Sequence, residues 1–156
     1  MATAKKGVSM PSLDLVLAIL HHLFIFGLFA VLIAELVGVR RGMDATTVRR
    51  IQKIDDWYGV LAGLILIVGF SRAIFAAKGW VYYEHNAFFW GKIAAFLVIA
   101  LLSAPPTVTF LRWRRENAPP ADAAVARVLS YLWVQVALFP LLPAFAAAMA
   151  RGYGEF

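Results

Sequence analysis

The sequence predicts an integral membrane protein folded as an all-α four-helix bundle, and two observations carry this prediction. Of its 156 residues, 62% are hydrophobic and only 15% are charged, a balance that no soluble single domain shows. The apolar residues also form four long runs, and about 20 apolar residues in a helix cross the roughly 30 Å hydrocarbon core of a bilayer. We therefore expect one membrane domain over residues 1–156, with spans at about residues 13–39, 57–75, 88–110 and 125–149.

The first span holds two adjacent histidines, His21 and His22, deep inside its apolar run. Three ionisable residues and one leucine recur every seven positions and form one stripe along the helix: Asp14, His21, Leu28 and Glu35. Positions seven apart drift by only about 20° around a helix, whereas His22 points about 100° away from this stripe. Because an ionisable side chain is costly in lipid, we expect the stripe to face the bundle interior and His22 to border a neighbouring helix or the second loop.

The second span begins with the aromatic pair Trp57–Tyr58, which is typical of a membrane interface. Gly59 and Gly63 lie four positions apart, a spacing that favours close approach of another helix. A heptad-like stripe runs along one face, through Asp55, Tyr58, Ala62, Ile65, Gly69 and Arg72. Arg72 therefore either faces the bundle or snorkels towards the headgroups from the end of the span.

The third span carries Lys92 about one turn from its start and the pair Pro105–Pro106 in its far half. Adjacent prolines remove backbone donors, so we expect them to kink the helix or to end its regular part. The fourth span holds Gln135 near its middle, which predicts a hydrogen bond to a neighbouring helix. The polar tail, residues 151–156, is expected to be loosely held.

The chain has a net charge of +6, and eight of its 15 Lys and Arg side chains lie in two polar stretches, residues 40–56 and 111–124. We interpret the first as a solvated basic loop, and the alternative is a short interfacial helix capped by Asp44. The two tails and the second loop carry four such side chains. The positive-inside rule then places both basic stretches in the cytoplasm and both termini outside a bacterial inner (plasma) membrane. The partner of these cations is then the lipid bilayer, and nucleic acid is not expected.

These directions gather the histidines and two cations in the outer half of the bundle, namely His21, His22, Arg72, His85 and Lys92. The chain has no cysteine, which excludes disulfides and thiolate metal sites. The set suits a haem, because a neutral imidazole ligates the iron while Arg72 and Lys92 pair with the propionates. The alternative is that a histidine donates to a backbone carbonyl while both cations snorkel, and the spacing leaves both open. If the two cations lie at one depth, their repulsion requires an anion: Asp14, Glu84 or a bound acidic group.

A histidine early in the first span, a basic stretch, and a lysine early in the third span within Ala87–Lys92 occur in this order. This order resembles the four-helix membrane-type protoporphyrinogen oxidases and their copper-resistance-like relatives, and the whole chain resembles a bacterial family of predicted four-span membrane proteins. The resemblance covers the first three spans and implies haem b, with His21 or His22 at the iron and Lys92 in the cofactor or catalytic region. The chain departs from the oxidase pattern at Glu35, where that pattern has an arginine, and it lacks a histidine just before the lysine.

We expect a membrane protein that binds haem b with a redox or porphyrin-related role, and the sequence leaves open whether it is an enzyme. One alternative is a non-catalytic accessory subunit or assembly factor, in a homo-oligomer or a larger membrane complex. Another is a small transporter with Asp14 and Glu35 on a proton path. We expect His21 rather than His22 to ligate the metal, because the polar stripe offers acceptors for its second ring nitrogen. Three acidic side chains collect at the inner side: Glu35, Asp55 and Asp56.

The predicted orientation fixes the outcome of reporter fusions at Asn117 and Phe156. Eight Lys and Arg side chains against four place Asn117 in the cytoplasm and Phe156 outside. An alkaline phosphatase fusion should therefore be active at Phe156 and inactive at Asn117, and a fluorescent-protein fusion should show the reverse. A cytoplasmic signal at Phe156 would overturn the orientation and the assignment of the two ends of the bundle to the two sides.

Overall fold

The computed structural model describes residues 10–75 and 79–156, and in this part of the chain the regular elements are α-helices. They are α1 (Met10–Gly38), α2 (Ala45–Phe75), α3 (Gly79–Glu84), α4 (Ala87–Glu116), α5 (Asp122–Leu138) and α6 (Leu141–Ala150). Four stretches are long and apolar enough to cross a membrane: Leu13–Gly38, Ala45–Ile74, Ala87–Glu116 and Asp122–Ala150. The predicted class, an all-α membrane protein, is confirmed.

The long helices pack as a closed bundle around an apolar centre. Helix α1 packs along α2, α4 packs against α2, α5 and α6, and α5 closes the ring against α1. Apolar side chains from each long helix fill the centre: Leu28, Leu32, Ile65, Ile99 and Leu132. Large apolar side chains such as Phe26 and Leu101 also cover the outside of the bundle. In a bilayer these side chains meet lipid, so their exposure requires no protein partner.

The inward orientation predicted for the polar stripes is confirmed. On α1, His21 and Glu35 are buried, whereas His22 is exposed. The stripe of α2 turns inward as well, since Asp55, Tyr58 and Ile65 are buried. The Tyr58 hydroxyl donates a 3.2 Å hydrogen bond to the side-chain oxygen of Gln135, the interhelical bond expected of Gln135. Polar residues thus decide which face of each helix points into the bundle.

The helix approach predicted at Gly59 and Gly63 is wrong within the described part of the chain. A Cβ atom built on either glycine would have no atom of another residue within 4 Å. The close approach occurs instead at Gly69, where a Cβ would lie 3.1 Å from Cε1 of His21. A four-residue spacing permits close packing, but a neighbour must also be present to use it.

The solvated loop predicted for residues 40–56 is wrong from Ala45 onward, because α2 begins there. Asp44 starts the helix by accepting a 2.8 Å hydrogen bond from the backbone N–H of Thr47. The hydrogen bonds from Thr47 also lower the pKa of the Asp44 carboxyl. Val48 and Ile51 are buried and join the main core, so tertiary packing extends α2 beyond its apolar run. The predicted interfacial helix exists, but it is continuous with the second span.

The expectation that Pro105–Pro106 end the regular helix is also wrong, since α4 continues to Glu116. The missing N–H of Pro106 leaves the carbonyl of Leu102 without its helical donor, and the Gln135 amide donates a 3.3 Å hydrogen bond to this carbonyl. Phe110 and Trp113, beyond the prolines, are buried in the core, and their packing requires the helix to go on. The helix ends at Asn117 in the left-handed conformation, with φ 49°.

The fourth span is two helices rather than the single helix expected over residues 125–149. Helix α5 ends at Leu138 and α6 begins at Leu141, with Pro140 between them. Proline lacks a backbone donor and disturbs the helix that precedes it, which accounts for a break at this point. Residues at this junction, Phe139, Pro140 and Leu142, line the cavity described below.

The C-terminal tail is docked rather than loosely held. Asn86 is fully buried (0% exposed), and its side-chain oxygen accepts hydrogen bonds from the backbone N–H groups of Phe88 and Phe89, which caps α4. Its side-chain nitrogen donates to the carbonyl of Tyr153 at 3.0 Å, and the N–H of Ala87 donates to the carbonyl of Gly154 at 2.7 Å. These backbone bonds leave no trace in side-chain hydropathy, so sequence reasoning missed them.

Replacing Asn86 should loosen both the start of α4 and the tail. Asn86→Ala removes the cap and the bond to Tyr153, and loss of a cap alone costs about 1 to 2 kcal/mol of folding free energy. Asn86→Asp keeps the capping oxygens but lacks the donor to Tyr153. We expect thermal unfolding in detergent to rank wild type above Asn86→Asp and Asn86→Asp above Asn86→Ala. Equal midpoints for Asn86→Ala and wild type would show that the buried amide contributes nothing.

Candidate functional site

The histidines and cations singled out in the sequence line one cavity, which we call the histidine cavity. Its volume is about 610 Å³, within the range typical of ligand pockets. It lies between α1, the end of α2, α3, the start of α4, and α6 with the junction that precedes it. Its polar walls come from six side chains: His21, His22, Arg72, Tyr82, Tyr83 and Lys92. The rest of the wall is apolar, with Phe29 and Met149 on opposite elements.

His21 is held in the bundle without a hydrogen-bond partner. The residue is 8% exposed, and its Nδ1 atom is buried and unpaired within the described part of the chain. The ring lies against the backbone of α2 at Gly69, where any larger residue would crowd it. A buried polar atom that lacks a partner is costly, so His21 is a position at which a ligand would be stabilising.

His22 has the partner that His21 lacks. Its Nδ1 lies 2.7 Å from the carbonyl oxygen of Ala18, and because a carbonyl only accepts, Nδ1 carries the proton. The bond leaves Nε2 with a free lone pair, on an exposed ring that stands perpendicular to that of His21 with centroids 6.3 Å apart. The expectation that the polar stripe supplies an acceptor to His21 is therefore wrong.

The two cations differ in their partners. Nε of Arg72 lies 3.9 Å from Oδ1 of Asp14, so Asp14 is the predicted anion for this side chain. Nζ of Lys92 lies 5.7 Å from the ring centroid of Phe89, and among the described residues no carboxylate lies within 4.0 Å of it. Lys92 therefore presents a positive charge at the cavity wall that the chain itself does not neutralise.

A second, smaller cavity of about 250 Å³ adjoins the same side chains. It lies between α1, α2 and α4 and is almost wholly apolar, with Ile65, Phe70 and Phe96 among its walls. His21 and Lys92 line this cavity as well as the histidine cavity. A ligand in the histidine cavity would thus contact two side chains that have room to move on their other side.

The third histidine does not belong to the site. Nδ1 of His85 lies 3.0 Å from the carbonyl oxygen of Val81 and 3.6 Å from Oε1 of Glu84, and the ring packs near Phe156. None of the cavities described here includes it. Within the described residues, no group of three or more His, Asp or Glu side chains could hold a bare metal ion. Metal binding at His21 would therefore need a cofactor that supplies most of the ligands itself.

Sequence reasoning found the charged residues of the cavity but missed three of its features. Tyr82 and Tyr83 enter from α3, a six-residue helix inside a stretch interpreted as a loop. Pro140 and Pro143 line the wall at the junction of α5 and α6, and two prolines in an apolar run were the sequence signal for that junction. Gly69 was placed on the inward stripe, but its contact with the His21 ring required the structure.

The helices and cavity define the class of the protein as a multi-span α-helical membrane protein with a polar-lined cavity in one half of its bundle. Residues 13–154 match the family described as "Predicted membrane protein (DUF2214)", and the chain belongs to this family. No curated protein and no solved structure matches the chain. Family membership confirms the predicted likeness to a family of membrane proteins, whereas the likeness to the oxidases stays a prediction.

Lys92 should reduce the stability of the protein when the cavity holds no ligand. A cation at a largely apolar wall without an acid costs roughly 1 to 3 kcal/mol as an unpaired polar group. Lys92→Met keeps the length of the side chain and removes the charge, so we expect a higher unfolding temperature for the purified variant. Lys53→Met, on the exposed face of α2, is the matched control and should leave the temperature unchanged. A lower unfolding temperature for Lys92→Met alone would contradict the unpaired state of Lys92.

Proposed function

We propose that the protein binds haem b in the histidine cavity and has a redox or porphyrin-related role in the membrane. One observation carries the proposal: His21, His22, Arg72 and Lys92, which lie on three different helices, converge on a single cavity with otherwise apolar walls. A haem presents to a protein an apolar ring, an iron that takes imidazole, and two propionates. The cavity offers an apolar wall, imidazoles and cations to match these features.

Two unsatisfied groups support a ligand of this chemistry. The buried Nδ1 of His21 has no partner, and the Lys92 ammonium has no acid within the described residues. An iron porphyrin would supply a metal to an imidazole and a carboxylate to an ammonium. Arg72 is already paired with Asp14, so a propionate there would share or displace that carboxylate. When bound, haem b would supply one-electron redox chemistry.

We propose His21 as the iron ligand, although it is His22 that has a hydrogen-bond acceptor for one of its two ring nitrogens. The hydrogen bond of His22 to Ala18 satisfies that side chain within its own helix, so it gains less from a ligand. His21 is buried and makes no hydrogen bond within the described residues, so its ring is not committed to another partner. Gly69 then acts as a positioning residue, since only the absence of a side chain leaves room for the ring.

The proposed haem predicts a Soret band that depends on His21. Wild-type protein and the variants His21→Ala and His22→Ala are produced with supplied haem and purified, and the band is measured per protein. We expect loss of the band in His21→Ala and its retention in His22→Ala. Gly69→Ala should weaken the band, because its methyl group would press on the His21 ring, whereas Gly63→Ala meets open space and should not.

Three results would count against the proposal. Loss of the band in His22→Ala but not in His21→Ala would move the ligand to His22. Equal effects of Gly69→Ala and Gly63→Ala would remove the positioning role of Gly69. A colourless wild-type protein after haem supply would overturn haem binding and favour the accessory-subunit or assembly role.

A further inference from the structure

The half of the bundle opposite the histidine cavity contains a second set of buried polar side chains, which we call the acidic cluster. Its buried members are Glu35 on α1, Gln52, Asp55 and Tyr58 on α2 and Gln135 on α5, and the half-buried Thr107 on α4 completes it. Glu35 is 2% exposed and Asp55 is 5% exposed, so both carboxyl groups lie inside the bundle. Their depth requires a partner for each, because a carboxylate is poorly stabilised away from water.

Three donor groups of the acidic cluster already make hydrogen bonds to acceptors other than Glu35. The Thr107 hydroxyl donates to Oδ1 of Asp55 at 2.8 Å, and the Tyr58 hydroxyl donates to Oε1 of Gln135 at 3.2 Å. The Gln135 amide donates to the carbonyl of Leu102 at 3.3 Å. Each of these donors already has an acceptor, so none of them is left for Glu35.

The acidic cluster is left with too many acceptors. Oε1 of Glu35 and Oε1 of Gln52 are buried and have no partner within the described residues. In the same part of the chain no Lys, Arg or His lies within 4.0 Å of the carboxylates of Glu35 and Asp55. The Glu35 carboxyl also interacts electrostatically with the Asp55 carboxyl. Two acids in one buried site repel each other when both are ionised, so the cluster lacks a positive charge or a donor.

A groove connects the acidic cluster to the surface. It measures about 270 Å³ and runs between α2 and α4, with Asp55, Asp56, Tyr58, Ser103 and Thr107 on its polar side. Asp56 is exposed and accepts a 3.0 Å hydrogen bond from the Gln52 amide, so the groove joins buried and exposed polar atoms. A small ion or a proton carried by water can thus reach Asp55 from outside the bundle.

We propose that Glu35 and Asp55 form a proton-binding site that holds one exchangeable proton between its two carboxyl groups. The bound proton turns one carboxyl oxygen into a hydrogen-bond donor and neutralises one of the two negative charges. It thus supplies the missing donor and removes the repulsion between the two carboxylates. On release, the O–H bond of the Glu35 acid breaks, the proton passes to the Asp55 carboxylate, and it leaves to water along the groove. Uptake follows the reverse order.

The titratable groups that face this site are few, and they come from two helices. Helix α1 contributes Glu35, and α2 contributes Asp55, Asp56 and Tyr58. Helices α4 and α5 contribute Thr107 and Gln135, which do not titrate. The proposal is independent of haem, because no member of the acidic cluster lines the histidine cavity.

Infrared spectroscopy of the full chain in lipid vesicles tests the site directly. We expect wild-type protein at neutral pH to show the carbonyl band of a protonated carboxylic acid, which shifts in D2O and disappears at high pH. Glu35→Gln should remove the band, Asp55→Asn should shift it, and Glu116→Gln, on an exposed residue, should leave it unchanged. No band at neutral pH, or a band that survives both Glu35→Gln and Asp55→Asn, would overturn the proposal. A band that does not shift in D2O would overturn the exchange.

Carbodiimide labelling is a second test, and it uses only wild-type protein, so it does not depend on whether a variant folds. Dicyclohexylcarbodiimide enters apolar regions and reacts with protonated carboxyl groups. We expect mass spectrometry to find the label on Glu35 at neutral pH, with less label as the pH rises and none on Glu116. Protection of Glu35 by sodium ions at constant pH would indicate a cation site instead and would overturn the proton assignment.

Discussion

The constraint on which the bundle depends is that hydrocarbon offers no hydrogen bonds to a polar side chain. Apolar side chains pack equally well against lipid and against another helix, so they give little preference for one face over the other. A single polar residue does give that preference, because it must turn to a partner inside. Four polar residues lie within the bundle for this reason: His21 and Glu35 on α1, Asp55 on α2 and Gln135 on α5. Leu28 and Leu32, which lie between the two polar residues of α1, are buried with them.

This constraint explains why the inward faces could be predicted from the sequence while the ends of the helices could not. Seven-residue repeats of polar positions fix a face without any knowledge of neighbouring helices. The ends of α2 and α4 depend on packing outside the apolar runs, where Val48 and Ile51 or Phe110 and Trp113 join the core. Their spacing of three residues is a signal for a helix, but the charged residues between them favoured a loop.

The candidate site divides in the same way. Depth along each span placed His21, Arg72 and Lys92 in the outer half of the bundle from sequence alone, and the structure brings them to one cavity. The part of the wall that Pro140 and α6 contribute, and the contact of the His21 ring with Gly69, are relations between helices. Which histidine has a hydrogen-bonded second nitrogen is a matter of rotamer, and neither spacing nor hydropathy contains that information.

The two polar regions of the bundle are separated by its most apolar layer. His21 and Glu35 are fourteen residues apart on α1, roughly 21 Å at the rise of a helix, and Leu28 and Leu32 lie between them. On α4, Phe96 and Ile99 occupy the same interval. Within the described residues no chain of hydrogen bonds crosses this layer. The charge interactions also stay within each region, since His21 interacts with Lys92 and Arg72 whereas Glu35 interacts with Asp55. The apolar layer therefore divides the bundle into two polar regions, each with its own set of partners.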